Sequence, residues 1–147
     1  MKNKKQNVSI TIERGGEMGQ LVEMKIDDKI IKIADVKRKY IENIMECAKD
    51  YGFIDRVVLF GSSLTENCNE GADIDIAIFG SKTQSQCYRL KAYAEMLSKI
   101  YSYDFEQEYD ILYFQSGKKY TDAIFEDVMK GVVLYERDDL VHGRGIS

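Results

Sequence analysis

The sequence predicts an α/β (α+β) fold: a small mixed β-sheet with helices packed on it and a β-hairpin at the N-terminal end. Three observations predict it. Val57, Val58, Leu59 and Phe60 form one short apolar run, and Ile76, Ala77, Ile78 and Phe79 form another, both rich in the β-branched and aromatic residues of core strands. Residues 28–50 and 81–101 repeat apolar side chains at three- and four-residue steps, the period of amphipathic helices. Near the start, Val8, Ile10 and Ile12 alternate with Ser9, Thr11 and Glu13, the period of a half-buried strand.

In chain order, residues 1–6 are a basic, frayed tip. The strand at 8–12 turns through Gly15, Gly16 and Gly19 and returns over 21–26, so residues 1–27 form a hairpin extension. The glycines open no helix and do not follow GxGxxG, which makes them a structural turn. Over 28–50, Ile30, Ile33, Ile41, Ile44 and Ala48 lie on the apolar side, while Lys32, Lys37, Lys39, Glu42 and Glu46 occupy the other. Gly52 follows the end of that helix. Residues 53–60 are the first core strand. After the second apolar run, residues 81–101 form a helix with Tyr88, Ala92, Leu97 and Ile100 inward. A strand at 108–114 carries Asp110 at its entrance, a helix spans 118–130, Gly131 stops it, and 132–135 is the last strand. The main domain is thus 28–137, and 138–147 is a polar tail in which His142 is solvated.

Composition narrows the function classes. At 147 residues the chain suits one domain. A formal net charge of −4 argues against nonspecific binding to nucleic acid or to anionic membrane surfaces. Cys47, Cys68 and Cys87 are odd in number and lack metal-ligand or CxxC spacing, which points to a reduced, cytoplasmic setting. No apolar run approaches membrane-spanning length.

The chemistry is concentrated between 57 and 79. The first apolar run ends at Gly61 and Ser62, ten polar-loop residues follow, and Asp73 and Asp75 flank Ile74 at the mouth of the next strand. Residues two apart project to the same face of a strand, so the two carboxylates stand side by side. Like charges at that separation are unfavourable unless a cation sits between them, which makes this a candidate metal site. Gly61 permits backbone dihedrals and close approaches that other residues do not, and Ser62 adds a hydroxyl able to reach a phosphate.

Gly61, Ser62, ten residues, then Asp73, Ile74 and Asp75 match the GSx10DxD signature of the polymerase beta-like nucleotidyltransferase superfamily. The chain resembles its minimal nucleotidyltransferase (MNT) members over residues 30–137, and the segment 132–136 resembles the end of many of them. The resemblance implies that Gly61, Ser62 and Ser63 hold the triphosphate, that Asp73 and Asp75 bind Mg2+, and that a third acid on a later strand completes the site. Asp110, placed like Asp75 at a strand entrance, is the assigned third carboxylate, a metal ligand or the base for the incoming hydroxyl; Glu108, on the same strand face, is the runner-up.

Many small proteins of this type are antitoxins that modify a tyrosine of a HEPN toxin, so the resemblance implies AMP transfer from ATP to a protein hydroxyl, with a HEPN toxin as partner in a homo- or hetero-oligomer. Two other readings stand beside it: a noncatalytic module of the same fold that neutralises a partner by contact, and an aminoglycoside-type enzyme acting on a small molecule. One departure bears on the choice. Many MNT proteins place Arg directly after Gly-Ser, whereas here Ser63, Leu64, Thr65 and Glu66 follow and no Lys or Arg appears before Asp73. Phosphate binding at such a turn depends on backbone amides, metal and charges from elsewhere. Tyr101, Tyr103, Tyr109, Tyr113 and Tyr120 are read as mixed core and surface packing, with base stacking as the alternative.

Overall fold

The structure, a computed structural model, describes residues 20–138. The proposed strand at 8–12, its glycine turn, the basic tip and His142 lie outside the described residues. Among the described residues there are two sheets. Strands β1 (Leu21–Ile26) and β2 (Lys29–Ala34) pair as an antiparallel hairpin, and β3 (Ile54–Phe60), β4 (Ile74–Gly80), β5 (Tyr109–Gln115) and β6 (Val132–Glu136) form a mixed sheet in the order β5-β4-β3-β6. Pairs β3/β4 and β3/β6 are antiparallel; β4/β5 is parallel. The parallel step is bridged by helices α2 (Gln84–Tyr88) and α3 (Lys91–Ser102), as a parallel pair requires a crossover. Helix α1 (Arg38–Ala48) precedes β3, and α4 (Ala123–Met129) lies between β5 and β6.

The hairpin corrects the expected helix. Residues 29–34, expected in a helix beginning at 28, form β2, and among the described residues it is β2 with which residues 21–26 pair. The cause is a competing period of two. Ile31 and Ile33 are buried, whereas Ile30, predicted on an apolar helix face, is 61 % exposed. The ladder sets Met24 against Ile31 and Val22 against Ile33, so four apolar side chains reach one face. Asp27 makes the turn with φ 53°, a left-handed conformation that Asp tolerates. Position 27/28, drawn as a domain boundary, lies within this turn.

Two further differences are local. The helix expected over 81–101 is divided: a capping box of Thr83 and Gln86 starts α2 (Gln86 N to Thr83 Oγ1, 3.1 Å; Thr83 N to Gln86 Oε1, 3.0 Å), and Leu90 is extended before α3 begins. The helix expected from 118 begins at Ala123, because Tyr120 packs in the chain before it: its hydroxyl accepts from Gln115 N (2.9 Å) and its ring stands 4.9 Å from Phe114.

The four-stranded sheet is covered unequally. On one face Val57, Leu59, Ile74, Ile76 and Ile78 share a core with Ile41 and Ile44 of α1, Tyr93, Met96 and Ile100 of α3, and the hairpin isoleucines. On the other, Val58, Phe60, Ala77, Phe79 and Phe114 meet Val128 of α4, with Phe125 and Tyr120 half-buried beside them. Strand alternation assigns Asp75 and Asp110 to this second, thinly covered face.

Candidate active site

The site begins where β3 ends. Phe60 pairs with Asp75 across the β3/β4 ladder, and the chain then enters a single 3-10 turn, Gly61–Leu64. Gly61 has φ +80°, and a Cβ there would collide with the Asp75 carboxylate. Glycine at 61 therefore meets two requirements at once: a left-handed backbone and a turn lying directly on a side chain. Asp75 is paired in parallel register with Asp110 on β5, and Asp73 is the residue before β4.

These three acids interact. Burial first, then the Asp110 carboxylate, then that of Asp73, push the Asp75 carboxyl above the ordinary carboxylate range. A divalent cation relieves this repulsion, and oxygen-only donors suit Mg2+, which keeps part of its shell for water and phosphate. Among the described residues no group of three His, Cys, Asp or Glu side chains forms a ready-made metal cage. What is present is a pair of carboxylates in register, with a third acid two residues before Asp75; such a set would suit only an ion that brings its other ligands with it.

A cavity of about 460 Å³ adjoins the turn; its lining includes Gly61, Asp75 and Asp110 and, from the α4 segment, Ile124, Asp127 and Lys130. The expected site residues are not placed alike. Asp75, Asp110 and Gly61 are cavity-lining, whereas Asp73 is exposed at the strand entrance and outside the lining. Ser62 is half-buried and does not line the cavity; Ser63 is fully buried, its hydroxyl without a hydrogen-bond partner. Glu108 is exposed and contributes its carbonyl, which accepts from Ile74 N at 3.0 Å.

The sequence reading missed what supports the acids. Lys37, expected on the outward side of a helix, is fully buried, and burial lowers the pKa of its amine. Its Nζ donates to Gln107 Oε1 (2.7 Å) and to the Glu70 carbonyl (3.0 Å). Gln107 Nε2 in turn donates to the carbonyls of Ala72 (3.1 Å) and Glu108 (2.7 Å), the residue before Asp73 and the residue two before Asp110. One buried lysine thus ties the loop leading to Asp73 to the approach to Asp110. Lys130 was also missed as a site residue. The lack of basic residues after Ser62 signalled only that charge must come from elsewhere.

The sequence model of the family described as polymerase beta, nucleotidyltransferase, matches residues 42–140. The chain belongs to this nucleotidyltransferase family. The match starts inside α1, so it takes in the Gly61 turn and all three acids and leaves out the hairpin. No curated protein matches the chain. Two solved structures resemble the nucleotidyltransferase in fold. One is a chain from the complex of tri-AMPylated Shewanella oneidensis HEPN toxin with MNT antitoxin: 19 % identity, TM-score 0.47, covering 70 % of this chain and 75 % of that one. The other is from a mutant of the toxin–antitoxin pair MntA–HpeT: 19 % identity, TM-score 0.49, covering 69 % and 78 %. No helix among the described residues is long and apolar enough to cross a membrane.

Proposed function

We propose that this nucleotidyltransferase moves AMP from ATP to a protein hydroxyl, acting as the antitoxin that modifies a tyrosine of a HEPN toxin. The observation that carries the transfer is the register of Asp75 with Asp110 on the wall of a cavity that the Gly61 turn also lines. The acceptor is taken from the resemblance of the GSx10DxD segment to MNT antitoxins.

Asp73 and Asp75 would hold Mg2+ with Asp110. When bound, the ion neutralises charge on the nucleotide phosphates. The Gly61 turn positions the triphosphate, and Asp110 accepts the proton of the incoming hydroxyl. The hydroxyl oxygen bonds to the α-phosphorus, the bond from that phosphorus to the bridging oxygen breaks, and pyrophosphate leaves. Cys47, Cys68 and Cys87 are all free thiols, which supports a reducing, cytoplasmic setting.

The test is incubation with ATP labelled in its α-phosphate, Mg2+ and the candidate toxin. Label is expected on a toxin tyrosine and is expected to vanish with Asp75→Asn. Equal labelling by that variant would overturn the assignment. The basic-free loop from Ser62 to Asp73 favours a second reading, a noncatalytic module that neutralises its partner by contact. That reading predicts complex formation and neutralisation without ATP or metal, unchanged in Asp75→Asn.

A further inference from the structure

The turn that opens the site carries no cation of its own, and the basic residues nearest in sequence are committed or distant. Arg56 is bound to Glu136 (3.2 Å), and Lys37 is buried against Gln107 and Glu70. The next basic residue after the turn is Lys82, beyond the far end of β4. Lys130 differs on each count: it is exposed, it lines the cavity with Gly61, Asp75 and Asp110, and no described carboxylate lies within ion-pair distance of it.

Its anchorage is also specific. Lys130 is the C-cap of α4, and the next residue, Gly131, packs so closely on the Leu59 carbonyl that a Cβ would not fit. Leu59 and Phe60 lead into Gly61. The backbone that carries Lys130 is therefore wedged against the strand that carries the turn, while its long flexible stem is free to place the ammonium within the cavity.

We propose that Lys130 binds the terminal phosphates of the nucleotide, supplying from the end of α4 the positive charge missing from the turn. The cavity is then lined by Asp75 and Asp110, which would hold metal, and by Lys130, which would meet the polyphosphate; Asp127 is a third acid in the same lining. This rests on the nucleotidyltransferase reading above. Because an ammonium on a phosphate is a charge-assisted bond, its loss is expected to weaken nucleotide binding about tenfold to a hundredfold.

The experiment is calorimetric titration of ATP and of AMP, with Mg2+, into the wild-type protein, Lys130→Ala and Lys130→Arg. ATP is expected to bind the wild type more tightly than AMP. Lys130→Ala should lose that advantage while AMP affinity and melting temperature stay unchanged, and Lys130→Arg should retain most of it. ATP affinity equal in wild type and Lys130→Ala, or equal weakening for ATP and AMP, would overturn the role of Lys130 alone. A wild-type protein that binds no ATP with Mg2+ would overturn the nucleotidyltransferase reading and this inference with it.

Discussion

The two faces of the four-stranded sheet use the same strands for opposite purposes. Ile74, Ile76 and Ile78 of β4 point into a core closed by two helices and a hairpin. Asp75, Ala77 and Phe79, interleaved with them, point toward a face roofed, among the described residues, by one seven-residue helix. The short helix covers the Phe79, Phe114 and Phe125 cluster and leaves the entrance ends of β4 and β5 open to a cavity. A half-buried carboxylate one residue from a fully buried isoleucine is therefore tolerated because, among the described residues, its own side of the sheet opens on the cavity. The thick face holds the strands in register; the thin face uses that register to bring two acids together.

The largest expected effect separates function from stability on the thin face. Asp75→Asn should lower transfer by about a thousandfold, the loss of several kcal/mol of metal-dependent transition-state stabilisation, while raising the melting temperature of the metal-free protein near pH 7. The sign follows from the raised Asp75 carboxyl. The unfolded chain releases that proton at lower pH than the folded one, so stability falls as pH rises from the ordinary carboxylate range through the raised value. The asparagine variant removes this fall. Melting curves in chelator across that range check it, and an unchanged or lower melting temperature in the variant would contradict the account.

The contrast in coverage is tested by truncations in each core. Ile76→Ala, at 0 % exposure on the thick face, should cost about 2–5 kcal/mol in denaturant unfolding. Val128→Ala, the buried side chain of α4, removes two methyl groups and should cost about 2 kcal/mol. Ile76→Ala removes three carbons and Val128→Ala two, so the larger cost per carbon is expected at Ile76; equal cost per carbon would mean the faces are equally well packed. Gly61→Ala should cost about 1–2 kcal/mol from its left-handed backbone alone, plus displacement of the Asp75 carboxylate, seen as weaker Mg2+ binding.

The smallest effect is expected beneath the site. Lys37→Met leaves Gln107 Oε1 and the Glu70 carbonyl without their donor, and Mg2+ affinity should fall by about tenfold or less as Asp73 and Asp110 lose a shared anchor. Titration of Mg2+ reads this directly. Unfolding measured alongside separates loss of positioning from loss of fold, and unchanged Mg2+ affinity would dismiss the lysine as a positioning residue.

Local rules made much of this protein legible before any coordinates. The apolar runs, the Gly61 turn, the paired aspartates and Asp110 at a strand entrance all depend on neighbours within a few residues, and the parallel register of Asp75 with Asp110 agrees with that reading. The hairpin was partly misread because 29–34 satisfies both a helical and an alternating period, and only pairing with 21–26 decides between them. Lys37 looked like a surface residue because its partners are 33 and 70 residues away. Ser63, which the resemblance places at the triphosphate, is carried inward by the 3-10 turn.

By itself, then, the sequence determined the nucleotidyltransferase core and singled out the acids proposed to carry its chemistry, because alternation and turn geometry act over a few residues. The tertiary structure alone decided which face the described residues leave open, what holds the acids, and that Lys130, far along the chain from Gly61, shares a cavity with it. Such contacts depend on how distant elements pack, and no local period encodes that.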